Sequence, residues 1–344
     1  MYLTGMQKFS VILPVKNGGS YVKECVNSIL SQTLPDFNLI VLDNCSSDGT
    51  LEWLQSLKDS RIVIHESGEP LSIEENWGRI INVKKNMFIT LIGHDDILYP
   101  DFLAVMDRQL KSNPDASLYH THFNYINENG TIMRPCKPMN PCMNGYEFLQ
   151  AILSGSMDAM GTGFVMRSAD YNALQGIPRK YPNLLFADFE LWLNLIFKSY
   201  EVVAPEKCFA FRIHKSTTGT SQDIKLHQAL DVFIDFLFSL EKDDLQAKKI
   251  INEFGAQFLL FYCKGFSHRL LRTSLKKREN LTVRDFIEHT KLLAAKLEIQ
   301  DKYQPEQVLS LKLAIFIDGN AVLRKLFLLF KMIHAKPILD SWVA

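Results

Sequence analysis

An open α/β sheet of mostly parallel strands, followed by an all-helical region, is the fold class that the sequence predicts. Three observations predict it. Between residues 9 and 100, short β-rich runs alternate with helical patterns, the order that builds parallel sheets. The first run, FSVIL at 9–13, is almost continuously apolar, as a strand covered on both faces requires. Beyond residue 220 the strand signal nearly vanishes while helical spacing continues to residue 333. A chain of 344 residues also suggests about two domains, at roughly 150 residues each. The boundary is expected at the Ser/Thr/Gly-rich stretch 216–221, giving domains 1–220 and 221–344.

The elements follow in order. Residues 14–19 break the first strand, and Tyr21, Val22, Cys25, Ile29 and Leu30 then recur at helical spacing. Residues 37–42 read as a second strand, ending in the turn-rich loop DNCSSDG at 43–49. A helix is expected at 50–57, a strand at 61–65, a helix at 74–84 and a strand at 87–92. The sequence GHDD (93–96) follows, and a helix begins near Pro100, a favoured first-turn residue. Further helices are expected at 145–154 and 189–198, and strands at 163–166, 201–203 and 209–213. The rest reads as helices at 223–241, 244–273, 283–297 and 305–333. Sheets of this kind bind ligands at the carboxyl ends of their strands. Asp43 and Asp95-Asp96 fall at or just beyond such ends.

Composition narrows the function. Hydrophobic residues at 47% and charged residues at 22% exclude disorder and collagen-like repeats. Lys and Arg (38) balance Asp and Glu (38), so no nucleic-acid partner is expected. The balance hides an asymmetry: residues 1–220 carry 19 basic and 23 acidic side chains, residues 221–344 carry 19 and 15. The six cysteines form no C-x-x-C pair or zinc spacing. No secretory signal and no apolar run of about 18 residues is visible. A reduced, soluble, cytoplasmic protein is expected.

Asp95-Asp96 is the sharpest chemical feature. Adjacent carboxylates repel, and a cation shared with a ligand phosphate relieves the repulsion. A solvated acidic turn is the alternative reading of the pair alone. The wider pattern decides between them. SVILPVKNGGSYVKECVNSILSQTLPDFNLIVLDNCSSDGT (10–50) and ENWGRIINVKKNMFITLIGHDDILYPDFL (75–103) resemble the family-2 glycosyltransferases of the GT-A fold. The spacing of their four motif segments matches, strongly over 1–125 and more loosely to about 221.

The resemblance implies roles. Pro14, Val15 and Lys16 would lie along the nucleotide, and Asp43 or Asn44 would hydrogen-bond the base. Asn44 replaces a usual acid, yet an amide can still read a uracil edge; for Asp43 the structural alternative is an Asx turn. Cys45 replaces a usual Gly and reads as a small packed side chain. Asp95 and Asp96 would hold Mn²⁺ or Mg²⁺, with Gly93 where many members carry a first Asp. His94 reads as a ligand or a loop histidine, and Arg79 as a nucleotide contact or an exposed helix residue. Asp188, in FADFELW, would be the base that deprotonates the acceptor hydroxyl; a helix N-cap is the alternative. Ala187 replaces the family's first acid there, and Glu190 is a weaker candidate. Arg212 would neutralise phosphate and His214 would complete the metal shell. Gly161-Thr162-Gly163 would line the acceptor side, with Met157-Asp158 just upstream.

The resemblance further implies an inverting enzyme that moves a hexose or N-acetylhexosamine from a UDP-sugar to a glycan or lipid-linked glycan. Cell-surface polysaccharides such as O-antigen or capsule are the expected products. Two rivals are a sugar nucleotidyltransferase, which lacks its Gly-rich basic loop here, and a non-catalytic sugar-nucleotide-binding protein. Residues 264–278 hold Lys264, Arg269, Arg272, Lys276, Lys277 and Arg278 and no acid, beside Phe258, Phe266, Leu270 and Leu271. That stretch reads either as an anionic membrane surface contact, which would make the protein peripheral, or as part of a bundle packed on the chain or on a second copy.

Overall fold

The computed structural model describes residues 7–158, 160–214 and 223–334, so the expected boundary at 216–221 lies outside the described residues. Two compact units emerge, Met1–Phe148 with Met157–Lys180 and Ala187–Ile213, and Leu149–Ser156 with Tyr181–Phe186 and His214–Ala344.

The first unit begins with the expected alternation. Strands β1 (Phe9–Val15), β2 (Phe37–Asp43), β3 (Ile62–Glu66) and β4 (Phe88–Leu91) alternate with helices α1 (Gly19–Leu30), α2 (Thr50–Ser56) and α3 (Ile73–Gly78). Every residue of β1 is buried, as its unbroken apolar run requires. Strand β1 lies between β2 and β4, parallel to both. Then come β5 (Ile97–Leu98), α4 (Phe102–Ser112), β6 (Leu118–Ile126), β7 (Ile132–Pro135) and β8 (Cys142–Asn144). Helix α5 (Gly145–Ser154) passes into the second unit from Leu149 on, and β9 (Val165–Arg167), α6 (Ser168–Ala173), α7 (Ala187–Ile196) and β10 (Tyr200–Arg212) complete the first. The sheet runs β3-β2-β1-β4-β9-β6-β10-β5, with β7 on β6 and β8 on β10.

Three expectations change. The strands expected at 201–203 and 209–213 are one strand, β10, whose register shifts on β6 between Ala204 and Phe209. The helix expected at 74–84 ends at Gly78 and continues as a 3₁₀ turn, Arg79–Asn82. Its start is set by a capping box between Ser72 and Glu75. Strand β6 was not anticipated, because His120, His122 and Asn124 interrupt its apolar residues.

The second unit holds α8 (Asp223–Asp243), α9 (Leu245–Arg272), α10 (Val283–Lys296), α11 (Leu309–Gly319) and α12 (Ala321–His334). Phe186, Phe233, Phe258 and Tyr262 form an aromatic cluster there, with Phe186 stacked on Phe233 at 5.2 Å. The single helix expected at 305–333 is divided, because Asn320 turns extended and its side chain caps α12 by accepting from Val322 and Leu323.

Of the two readings of the stretch 264–278, the packing agrees with the bundle. Phe258, Leu259, Phe266, Leu270 and Leu271 are buried while Phe261 is exposed, so most of the apolar side of this basic stretch packs against protein. Arg278 is itself buried, in an ion pair with buried Asp318, whose other oxygen accepts from the Val283 amide at 2.8 Å. Among the described residues no helix is long and apolar enough to cross a membrane. Replacing Arg278 with Met removes the nearer cation from the buried Asp318 carboxylate, leaving it the Val283 amide and Arg324 at 3.8 Å. Urea denaturation of this variant is expected to show a loss of about 3–5 kcal/mol, and an unchanged midpoint would contradict the pairing.

Candidate active site

Two loops at the carboxyl ends of β1 and β2 are knitted together. The Asn17 amide donates to Ser46 Oγ at 2.9 Å, and Asn17 Oδ1 accepts from the Ser47 amide at 2.8 Å. Gly18 and Gly19 amides donate to Thr50 Oγ1 and Asp48 Oδ2, each at 3.0 Å. This mutual bonding explains why the turn after β1 and the DNCSSDG loop occur together: each satisfies the other's main chain. The sequence signalled both loops but assigned Asn17, Asp48 and Thr50 no role.

Asp43 ends β2 opposite Val15. It is buried; one carboxylate oxygen accepts from the Ser46 amide at 3.1 Å, and Oδ1 has no hydrogen-bond partner. The Asx-turn reading and the ligand reading therefore each have an oxygen. A buried acceptor left unanswered is costly, and an N–H donor from a ligand would answer it. Asn44, beside it, is placed differently from the expected base contact. Its Nδ2 donates to the Leu71 carbonyl at 2.9 Å and its Oδ1 accepts from the Leu71 amide at 2.7 Å. Cys45 takes a left-handed φ of 51°, where a glycine would sit without strain.

Pro14 and Val15 are buried within β1, whereas Lys16 is exposed. Arg79 is neither an exposed helix residue nor turned outward to phosphate. Its guanidinium donates to the carbonyls of Asp43 (2.8 Å) and His65 (2.7 Å) and to Asn76 Oδ1 (2.9 Å), fastening the ends of β2 and β3.

The turn after β4 is organised by Asp96. This carboxylate is buried, and both oxygens are taken: Oδ2 accepts from Thr162 Oγ1 at 2.5 Å, Oδ1 from the Arg212 amide at 2.9 Å. Burial, then the neighbouring Asp95 charge, pushes its pKa well up against these two bonds. Of the two carboxylates expected to hold a metal, Asp96 is thus the one bound at each oxygen by a protein donor. Asp95 sits in the turn, half-buried, with His94. A Cβ on Gly93 would lie 2.7 Å from Asp95 Oδ1 and 3.4 Å from Asp96 Oδ2. The missing first acid has thus left room into which the Asp95 carboxylate folds.

Arg212 is likewise turned inward. Its Nε donates to the Asp95 carbonyl at 2.8 Å, Nη1 to the carbonyls of Asn127 and Glu128, and Nη2 to Glu24 at 2.6 Å. The side chain is fully buried over the Tyr21 ring. Its charge is answered by Glu24, which corrects the expectation of a phosphate ligand. His214, just beyond β10, opens the last segment of the second unit.

Asp188 lies in the first turn of α7, and its Oδ1 accepts from the Phe189 amide at 3.0 Å. Burial pushes its pKa up to about 6, against the hydrogen bonds from the main chain. Asp188 Oδ2 is 3.8 Å from where a Cβ on Gly161 would stand, and Thr162 is the residue bonded to Asp96. The segment is held in place by Trp192 Nε1, which donates to the Met160 carbonyl at 3.3 Å. Gly163 adopts φ +88° with the Phe209 ring 2.2 Å from any Cβ, so no side chain fits. A single loop therefore brings Asp188 and the Asp95-Asp96 turn together, a link the sequence did not disclose. Glu190 pairs with Lys180 at 2.9 Å, and Asp158 with Arg134 at 2.8 Å, so neither weaker candidate joins this group.

Among the described residues no cluster of three or more His, Cys, Asp or Glu side chains could enclose a metal. The donor set suits a cation held by one carboxylate, Asp95, with most remaining oxygens supplied by a diphosphate, the arrangement Mg²⁺ commonly adopts.

Residues 10–174 match the glycosyl transferase family 2 model. The glycosyltransferase GlyG of Streptococcus pneumoniae serotype 4 is 29% identical over 35% of this chain and 41% of its own length. An uncharacterised glycosyltransferase of Rickettsia prowazekii is 22% identical over 78% of this chain and 85% of its own. The chain spans about two fifths of the length of the first curated relatives it matches. The structure of S. aureus TarS 1–349 in complex with UDP-GlcNAc superposes with a TM-score of 0.63 at 17% identity, covering 86% of this chain and 89% of that one. That likeness supports a GT-A fold with a helical C-terminal region.

The raised Asp188 pKa has a measurable sign. An unfolded aspartate titrates near about 3.9, so the folded chain binds this proton more tightly. Stability conferred by the neutral acid is complete below about pH 4 and is lost as pH rises through about 6. Asp188→Asn is expected to flatten that decline and to gain on the order of 1–2 kcal/mol at pH 7, allowing for the partly exposed carboxylate. Denaturant titrations of both proteins between pH 4 and 8 check it.

Proposed function

The chain belongs to the family-2 glycosyltransferases, and we propose that it transfers a hexose or N-acetylhexosamine from a UDP-sugar to a hydroxyl of a glycan or lipid-linked glycan, with inversion. The observation that carries this reading is the Gly161-Thr162 link, which sets a carboxylate with a pKa of about 6 beside the Asp95-Asp96 turn. A general base works best when its pKa lies near the working pH, and burial has moved Asp188 toward that range.

In the proposed reaction, Asp43 Oδ1 accepts the ring N–H of the base and so orients the nucleotide at the end of β2. Strand β1 separates β2 from β4, so these strand ends lie two strand spacings apart, roughly 10 Å. Lys16, exposed beyond β1, lies between them in the sheet order and offers its ammonium to the diphosphate. Asp95 would hold Mn²⁺ or Mg²⁺, which would stabilise charge on the departing diphosphate. Asp188 takes the proton of the acceptor hydroxyl as its oxygen attacks the anomeric carbon, and UDP leaves from the opposite face. Asn44, Arg79, Asp96 and Arg212 act as positioning residues: they fasten the two loops and the turn that present Asp43 and Asp95.

Steady-state transfer assays with a panel of UDP- and GDP-sugars test the reading. Asp188→Asn is expected to lower kcat by about 10²–10⁴ while leaving UDP affinity within about twofold. The wild-type kcat/KM should fall as pH drops below about 6, because the base is then protonated. Asp43→Ala should instead weaken UDP binding by about tenfold or more, for loss of a buried charged acceptor. Full turnover in Asp188→Asn would remove Asp188 as the base.

A further inference from the structure

Helices α11 and α12 close the described part of the second unit and pack on one another. Each has an inner side that meets the unit: Leu311 and Ala314 of α11 are buried, and Arg324 of α12 donates to the Asp318 carbonyl at 2.6 Å. Their outer sides are unusual. On α11, Leu309, Leu313 and Phe316 recur at i, i+4 and i+7 and are exposed. On α12, Val322, Leu326, Phe330 and Ile333 recur at i, i+4, i+8 and i+11 and are exposed as well. All seven are between 54 and 79% exposed. Scattered surface leucines need no explanation, but two consecutive helical stripes of large apolar side chains do.

Charge selects what covers them. The two helices carry Lys312, Arg324, Lys325 and Lys331 against a single acid, Asp318. That acid is buried and paired with Arg278, so the outer face carries no carboxylate. Lys312 and Lys325 are exposed beside the stripes. A second copy docked by two-fold symmetry would set this face against itself, bringing lysine toward lysine with no acid to answer either. An anionic lipid surface answers both requirements at once, taking the apolar side chains into the acyl boundary and the lysines to its headgroups.

We propose that α11 and α12 form an in-plane membrane anchor, lying at the surface of an anionic bilayer without crossing it. The stretch 264–278, where Phe266, Leu270 and Leu271 are buried, is not part of it. The proposal is independent of the donor and of Asp188, since it concerns where the protein sits rather than what it transfers.

Flotation of the full chain with vesicles of phosphatidylcholine and phosphatidylglycerol tests it. The wild type is expected to float with these vesicles at low salt, and far less with phosphatidylcholine alone or at high salt. Leu326→Glu/Phe330→Glu should reduce the bound fraction by about tenfold or more, with a thermal midpoint close to wild type because both positions are exposed. Lys312→Glu/Lys325→Glu should weaken binding and its dependence on salt. A wild type that stays unbound by anionic vesicles would overturn the proposal, as would undiminished flotation of Leu326→Glu/Phe330→Glu. So would sedimentation showing a wild-type dimer that this double variant splits, in a protein that floats with no vesicle.

Discussion

A carboxylate taken out of water must be answered at both oxygens, and the answer given to Asp96 organises the front of the first unit. One oxygen takes the Thr162 hydroxyl, the other the Arg212 amide. Those donors come from residues 66 and 116 positions away, so three distant segments meet at one side chain. The Arg212 main chain is thereby fixed, and its side chain then reaches the Asp95 carbonyl and Glu24. Thr162 also accepts from the Gly93 amide at 3.3 Å. The turn carrying Asp95 is consequently held from both sides, which is what a preorganised electrostatic site needs. In a half-satisfied network the cost of burial would remain without the order it supplies.

The same economy explains the two arginines. A guanidinium near a nucleotide site invites assignment to phosphate, because its fork matches that geometry. Here Arg79 and Arg212 are occupied by main-chain carbonyls at strand ends and in a hairpin loop. Carbonyls at the carboxyl ends of parallel strands have no further ladder partner, and a buried cation with several donors satisfies them together. The two arginines thus make the strand ends rigid. At these strand ends stand the unpaired oxygen of Asp43, the half-buried Asp95 and the exposed Lys16.

How much of this was legible depended on distance along the chain. The parallel strands of the first hundred residues were legible because each is a contiguous apolar run. Strand β6 was not, since His120 and His122 read as polar although the fold buries His120 between aromatic rings, stacked on Phe164 at 3.8 Å. The pairing of Asp43 with a strand end was legible from the DNCSSDG loop, and so was the place of Asp188 at a helix start. The division of labour between Asp95 and Asp96 was not. Two adjacent, identical side chains differ only in what reaches them from residues 162 and 212, and no local pattern records that. The basic stretch at 264–278 stayed open between membrane and bundle for a related reason: a cationic helix face says nothing of whether its apolar side is already covered.

Gly93 links these points. A longer acidic motif would put a third carboxylate into a turn where Asp95 and Asp96 already repel, and the space a side chain would need is filled by Asp95 Oδ1. With Asp96 held by Thr162 and Arg212, Asp95 is the carboxylate of the pair that our reading gives to a ligand. On our reading the protein alone then offers a cation few oxygens, and the diphosphate must bring the others. Cation and donor would therefore bind as a pair, each completing the site for the other. On that reading the acidic strand ends would not hold a tightly bound cation when no nucleotide is present. It also assigns Gly93 a constructive role, since its lack of a side chain gives the Asp95 carboxylate its place.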